Sequence, residues 1–341
     1  MNFQLTKEQE FVQKMVREFA KTEVEPLAAE IDQEHRFPVE TVEKMAKYGL
    51  LGIPFPTKYG GMGGDEVSYS ITVSELAKVC ASTSVIVSAH TSLCCWPIYK
   101  YGTEDQKMKY LPDLLAGKKL GAFGLTEPNA GTDASGQQTR AELDGDEWVL
   151  NGAKCFITNG GYAEVFVVMA MTDKSKGNHG ISAFIVEKSD PGFSIGKTED
   201  KMGICASSTT ELIFQNCRIP KDRLLGGLGK GFKVAMQTLD GGRIGIASQA
   251  LGIAEGALEV TIEYMKQRKQ FGKKLAQMQA LQFVVADLAT KVEAAKLLVL
   301  KSAFCEDAGL PYGVPAAMAK LFAAETAMEV TTKCVQLHGG Y

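Results

Sequence analysis

Apolar positions along the chain change period twice. Thr6-Lys7-Glu8-Gln9 fits a helix capping box, and Phe11, Val12, Met15, Val16 and Phe19 then recur at helical spacing until Pro26 intervenes. A shorter helix is expected over residues 39–48, and two more over 74–89 and 104–115. The YGGMGG run inside 49–64 reads as a structural turn, since no strand precedes it and no Lys-Ser/Thr follows, as a phosphate cradle would require. At about Lys118 the period falls to two. Segments 119–125, 137–143, 148–151, 165–171, 181–187 and 211–219 are short, rich in Val, Ile, Phe and Thr, and separated by Asp-Gly, Asn-Gly, Gly-Gly and Pro-Gly turns. They predict a compact antiparallel β domain. Parallel strands would need crossovers of about a dozen residues or more, which this spacing excludes, and a doubly wound nucleotide fold goes with them.

From Phe232 the helical period returns. Phe232, Ala235, Met236, Leu239, Ile244, Ala247, Leu251, Ala254 and Leu258 define a long helix running to about Tyr264. Leu281, Val284, Val285, Leu288 and Val292 mark a second, and Ala317, Leu321, Ala324, Met328 and Val335 a third. The expected class is therefore α+β and multidomain: an N-terminal helical domain over 1–118, a β domain over 119–230, and a C-terminal helical bundle over 231–341. Many alanines allow close helix approach, and apolar residues spread beyond one stripe, so burial against other helices or subunits is expected.

Composition narrows the function classes. At 341 residues, 45% hydrophobic and 23% charged, the chain has ample material for more than one core. A net charge of −3 with dispersed Lys and Arg offers no broad basic surface, so neither nucleic acid nor anionic membrane is expected as a partner. No apolar run approaches the roughly 20 residues of a membrane span. The eight cysteines include one adjacent pair, Cys94–Cys95, and no zinc spacing, so they read as buried thiols and no metal is expected. His90 lacks a partner at ligand spacing and reads as a packed residue. GGLGKG at 226–231 lacks the phosphate-loop spacing and is rejected as a nucleotide motif.

Candidate chemistry concentrates in two stretches, FGLTEPNAGTDASG at 123–136 and WVLNGAKCFITNG at 148–160. A planar, mostly apolar ring with one polar edge needs a flat apolar seat, a few donors and close backbone. Thr126 and Thr158 bring hydroxyls, Phe156 and Ile157 bring apolar surface, and Gly131-Thr132 permit close approach of backbone amides. Each stretch alone reads equally well as a turn. Together, in order and between two helical regions, they are much more specific.

These two stretches resemble the signatures of the acyl-CoA dehydrogenase family, and within it the short-chain, butyryl-CoA type. KMGICASSTTELIFQNCRIP, LDGGRIGIASQALG, RKQFGKKLAQMQALQ and the terminal QLHGGY extend the resemblance over essentially the whole chain. It implies FAD bound by Phe123, Leu125, Thr126, Gly131 and Thr132, with Phe156, Ile157 and Thr158 against the ring. Arg268, Gln279, Gln336, Gly339 and Gly340 would grip the FAD of a neighbouring subunit in a homotetramer, a dimer of dimers. Thr132, Asp240 and Arg243 match positions that contact acyl-CoA. The implied activity is dehydrogenation of short-chain acyl-CoA to trans-2-enoyl-CoA, or its reversal, with electrons passed to electron-transferring flavoprotein. A non-catalytic acyl-CoA or flavin-binding protein and an acyl-CoA oxidase remain alternatives. The implied setting is a bacterial cytoplasm or the mitochondrial matrix. In the short-chain members the catalytic Glu lies past the HGGY segment, so it is expected beyond Tyr341, with the bundle incomplete. Gly241 and Gly242 stand where other relatives carry it. Glu127 is expected to be a surface or turn-stabilising charge.

Overall fold

The computed structural model describes residues 4–341. Its helices in chain order are α1 (Lys7–Phe19), α2 (Glu25–Gln33), α3 (Val39–Lys47), α4 (Glu66–Ala77), α5 (Ala81–Ser88), α6 (Trp96–Tyr101), α7 (Glu104–Leu115), α8 (Gly231–Gln267), α9 (Gln279–Asp307) and α10 (Gly313–His338). The strands are β1 (Gly121–Gly124), β2 (Arg140–Asp144), β3 (Glu147–Thr158), β4 (Val165–Met171), β5 (Ile181–Glu187), β6 (Phe193–Thr198), β7 (Thr209–Pro220) and β8 (Leu224–Leu225), with a small hairpin of β9 (Lys269–Gln270) and β10 (Lys273–Lys274). Contacts group the chain into two units that alternate along the sequence.

The helical unit takes residues 4–29, Asp65–Ser84 and Arg243–Tyr341. Its first helix starts at the expected capping box: the Gln9 amide donates to Thr6 Oγ1 at 3.2 Å and the Thr6 amide to Gln9 Oε1 at 3.0 Å. Pro26 does not end the helical path. A π turn at Ala20–Val24 leads into α2, and this wider turn accommodates a residue that has no N–H and crowds the preceding turn of a regular helix. Within the unit, α4 meets α8 at two glycines. A Cβ on Gly252 would stand 2.2 Å from the Ser74 carbonyl oxygen, and one on Gly256 2.2 Å from that of Lys78. Ala247, Leu251, Ala254, Leu288, Val299, Ala323 and Val330 build the core between α8, α9 and α10.

The second unit takes Glu30–Gly64 and Val85–Gly242 and carries the sheet. Strand order is β6-β7-β3-β2-β4-β5-β8, antiparallel along most of its extent. Strand β1 departs from the antiparallel expectation by pairing parallel with β4, Gly121 opposite Val165 through Gly124 opposite Val168. Two edge strands, β6 and β8, carry too little alternation to stand out in the sequence. The expected break after Asn151 is absent: Gly152 takes φ 145° opposite a bulge whose surplus residue lies on β7, and the strand runs on. The YGGMGG loop is packed backbone: a Cβ on Gly61 would lie 2.2 Å from the Phe55 carbonyl oxygen. GGLGKG likewise turns into α8, its Gly229 amide donating to Ser182 Oγ at 2.9 Å.

His90 lies in the π segment Ala89–Cys95 and is completely buried. Its Nδ1 accepts from the Gly121 amide at 3.0 Å, so Nε2 carries the proton and donates to the Leu114 carbonyl at 3.1 Å. The ring thus ties α7 to the start of β1 as a neutral imidazole. Burial pushes its pKa down to about 4, the Leu114 bond opposing only in part. An unfolded histidine titrates near ~6.5, so between these values the unfolded chain holds a proton that the folded chain does not. Stability from this group is therefore lost as pH falls from about 6.5 to about 4, by about 3 kcal/mol in all. Glutamine can both donate and accept at this place without titrating. Thermal unfolding of His90→Gln should lose less Tm than the parent between neutral pH and pH about 4.5; parallel curves would remove His90 from the acid response.

Candidate functional site

The two chemistry-bearing stretches meet at a buried lysine. Lys154, on β3, has no solvent exposure, although its neighbours along the strand are mostly apolar. Its stem passes beside Gly124 and Leu212, and its ammonium reaches the 123–136 loop. Nζ donates to Glu127 Oε1 at 2.7 Å, to the Leu125 carbonyl at 3.0 Å and to Gln137 Oε1 at 3.0 Å. Glu127 also accepts from two backbone amides, Gln138 at 2.6 Å and Thr139 at 3.0 Å. One residue further along β3, the Cys155 amide donates to the Thr126 carbonyl at 2.9 Å. Thr126 is thus held on both sides and from below.

Charge in this node is balanced. Burial pushes the Lys154 pKa down to about 8, with Glu127 pulling the other way. Burial would raise Glu127, but the Lys154 charge and the hydrogen bonds outweigh it and hold the carboxyl below its ordinary value. Glu127 is therefore a turn-stabilising charge, and an interior one. Its amide and carbonyl also exchange hydrogen bonds with Ala130, closing the TEPNA turn at 3.2 and 3.0 Å. A carboxylate so fully engaged is unsuited to accept a proton from a substrate.

Past Lys154 the strand bulges. Lys154 stands opposite Leu212 and Ile157 opposite Thr210, three steps on β3 against two on β7, with the surplus at Cys155-Phe156. Phe156 takes φ 61° and turns its ring outward, 63% exposed. A bulky residue in the left-handed region is strained, and here the strain presents an aromatic face to solvent beside Thr126. Thr126 and Thr158 are half-buried, while Gly131 and Thr132 are exposed. A Cβ on Gly131 would meet nothing within 4 Å, so no neighbour in the chain itself demands glycine there. Phe123, Leu125 and Ile157 bury their side chains, leaving backbone as what they can offer a ligand.

The remaining expected residues belong to the C-terminal helices and the segments that join or follow them. Asp240 and Arg243 are three residues apart on α8, both half-exposed. At one end of the helical unit the Arg268 guanidinium sits 5.0 Å over the Tyr341 ring, and Tyr264 stacks on His338 at 4.3 Å. The Tyr264 hydroxyl donates to the His338 carbonyl at 3.2 Å. These contacts gather Arg268 with the segment bearing Gln336, Gly339 and Gly340. Gln279 is exposed as the first residue of α9. Lys154 and Gln137 are absent from the expected set. The signal for them was a lysine in an apolar strand and a glutamate in a glycine-rich loop, each meaningful only once the pair is seen.

Three family models account for nearly the whole chain. The N-terminal domain of acyl-CoA dehydrogenase matches residues 6–118, the middle domain 122–217 and the C-terminal domain 229–341. The chain belongs to the acyl-CoA dehydrogenase family. It is 61% identical over 341 residues to an acyl-CoA dehydrogenase, short-chain specific, of Clostridium acetobutylicum, covering 100% of this chain and 90% of that protein. Butyryl-CoA dehydrogenase of Megasphaera elsdenii superposes with a TM-score of 0.98 at 52% identity, over 100% of this chain and 90% of the other. A chain from a structure of the electron transferring flavoprotein of Acidaminococcus fermentans superposes at 0.99 with 56% identity, again over 100% and 90%. The helical, β and helical order of the fold is that of this family, and its members are flavoproteins.

The exposed ring of Phe156 separates two effects that usually run together. Phe156→Gly relieves the left-handed strain while giving the unfolded chain more freedom, so stability without cofactor should change by less than about 1 kcal/mol. Flavin affinity of the same variant should fall about tenfold, which is about 1.4 kcal/mol. Denaturant unfolding and flavin titration check the two halves; a large loss of stability with unaltered affinity would make Phe156 a packing residue.

Proposed function

We propose that this chain catalyses flavin-dependent α,β-dehydrogenation of short-chain acyl-CoA, butyryl-CoA foremost, to trans-2-enoyl-CoA, or the reverse reduction. Electrons are exchanged with an electron-transferring flavoprotein. The observation that carries this reading is the Lys154 node, which joins the two stretches into one seat with an outward Phe156 ring and an open Gly131. These residues fit FAD. Bound there, FAD supplies the two-electron acceptor for the hydrogen leaving the substrate's β-carbon.

The chain's own residues bind and orient. Thr126 and Thr158 offer hydroxyls to the polar edge of the ring, Phe156 an apolar face, and Phe123, Leu125, Gly131, Thr132 and Ile157 backbone groups. Arg268, Gln279, Gln336, Gly339 and Gly340 are proposed to hold the FAD of a neighbouring subunit, where a planar guanidinium suits a pyrophosphate. Thr132, Asp240 and Arg243 are assigned to the acyl-CoA. A groove of about 730 Å³ opens beside the same loop, lined by Ser135, Gln138, Arg140, Met171, Thr172 and Lys174. Arg140 there is paired with Glu142 at 3.3 Å, so Lys174 is the cation proposed to face a phosphate of CoA. None of the carboxylates described above is assigned to proton abstraction. The proposed domain limits are 1–118, 119–230 and 231–341. Among the described residues no helix is long and apolar enough to cross a membrane, and a bacterial cytoplasmic or mitochondrial-matrix setting is proposed.

A homotetramer is proposed from two exposed apolar stripes. On α10, Val314, Leu321, Met328 and Val335 recur every seven residues, and on α9 Phe283, Leu297 and Phe304 keep the same register, all exposed. Such spacing makes the apolar seam through which helices associate.

Anaerobic titration of the FAD-loaded protein with butyryl-, octanoyl- and palmitoyl-CoA tests the activity. Butyryl-CoA should bleach the flavin's visible band at the lowest concentration; preference for palmitoyl-CoA, or a flavin that no acyl-CoA perturbs, would overturn the reading. For the assembly, Leu321→Glu with Met328→Glu should lower the sedimenting mass below that of four chains. An unchanged mass would place the subunit contacts elsewhere.

A further inference from the structure

The Lys154 node makes contacts that a role in packing alone would not need. An apolar residue of similar length would fill the space beside Gly124, Val168 and Leu212, yet the chain places an ammonium there with three oxygen acceptors. Two of those acceptors, the Leu125 carbonyl and the Glu127 carboxylate, flank Thr126 in sequence. The third acceptor, Gln137, is itself held, its Nε2 donating to the Ala134 carbonyl at 2.9 Å. Thr126 is also fixed through its own carbonyl by the Cys155 amide, next to Lys154. Displacement of the ammonium would therefore move Thr126 and the strained Cys155-Phe156 bulge together.

We propose that Lys154 is a positioning residue for the flavin, setting Thr126 and Phe156 against the ring and so governing both FAD affinity and the reduction potential of the bound cofactor. The inference rests on the reading that this seat holds FAD. Position is one part of the effect and charge is the other. While Lys154 is protonated the pair with Glu127 is neutral; once the proton leaves, the seat retains one buried negative charge. A reduced flavin that carries negative charge is disfavoured next to it, so the potential falls. The titratable groups facing the node are Glu127 and Cys155, with Glu199 and Glu211 acting on Cys155 from beyond it. Burial of Lys154 lowers its pKa to about 8, which puts the change within reach of ordinary buffers.

The test uses FAD titration and spectroelectrochemistry of the intact protein and of two variants, Lys154→Met and Glu127→Gln. In the parent, FAD affinity and midpoint potential should both bend downward as pH rises through about 8. Lys154→Met leaves Glu127 uncompensated at every pH, so its FAD affinity should drop about tenfold or more, its potential should lie below the parent's at neutral pH, and the bend should vanish. Glu127→Gln removes the pull that keeps Lys154 protonated, so the bend should move to lower pH. If Lys154→Met does not fold, the parent's titration and Glu127→Gln decide. A parent that binds FAD with no bend, or variants that match it in affinity, potential and pH profile, would overturn the role of Lys154. A parent that binds no FAD would instead overturn the assignment of the seat.

Discussion

A buried ion pair holds the seat together. Removing one partner of such a pair typically costs about 3–5 kcal/mol, whereas replacing both by apolar groups of similar volume is often neutral. Stability alone therefore does not account for Lys154 and Glu127. What they add is direction. Nζ points at three oxygens from three places in the loop, and Glu127 receives two amides that begin the path into β2. Thr139 Oγ1 continues the stitching by donating to the Ala153 carbonyl at 3.2 Å. A loop dense in glycine has little intrinsic preference for one shape, and these bonds impose one.

Strand β3 carries the complementary half of that constraint. Gly152, Phe156 and the following Asn159 all have positive φ, at 145°, 61° and 66°. Gly152 has to be glycine, since a Cβ would lie 2.5 Å from Thr139 Oγ1. Asn159 is fully buried and secured by its Nδ2 donating to the Ile86 carbonyl at 3.0 Å, so the end of the strand is anchored. Between these fixed points the bulge has no slack. The cost of an outward phenylalanine in the left-handed region is met by surrounding order, which is the circumstance in which strain persists at ligand sites.

Much of this was legible in the sequence because it depends on local chemistry. Thr6 and Gln9 announce a capping box, and the alternating segments between Asp-Gly and Asn-Gly turns announce strands. The expectations that differed failed for non-local reasons. Helix α4 extends N-terminal of its expected start, over the β-like residues 66–73. Its first amides are capped from the far end of α9: Glu66 N–H donates to Asp307 Oδ1 at 2.7 Å and Val67 N–H to Asp307 Oδ2 at 3.2 Å. No window around residue 66 contains that partner. The parallel placement of β1 depends on its pairing with β4, and the strand bearing Lys154 was expected to end at Asn151, so the lysine and its partner Glu127 meet only in the fold. Motif chemistry and the family resemblance singled out the two stretches, while the contact that joins them required the fold.

The state of Glu127 also separates two tasks that the loop appears to combine. A general base needs an open lone pair near the substrate and a pKa raised toward the working pH. Glu127 is suited to neither: it is buried, both its oxygens are tied to an ammonium and two amides, and its carboxyl is held below the ordinary range. Freeing it to accept a proton would release Lys154 and unfasten Thr126, so the residue cannot serve the reaction without loosening the seat. Cofactor geometry and proton abstraction must therefore be assigned to different elements.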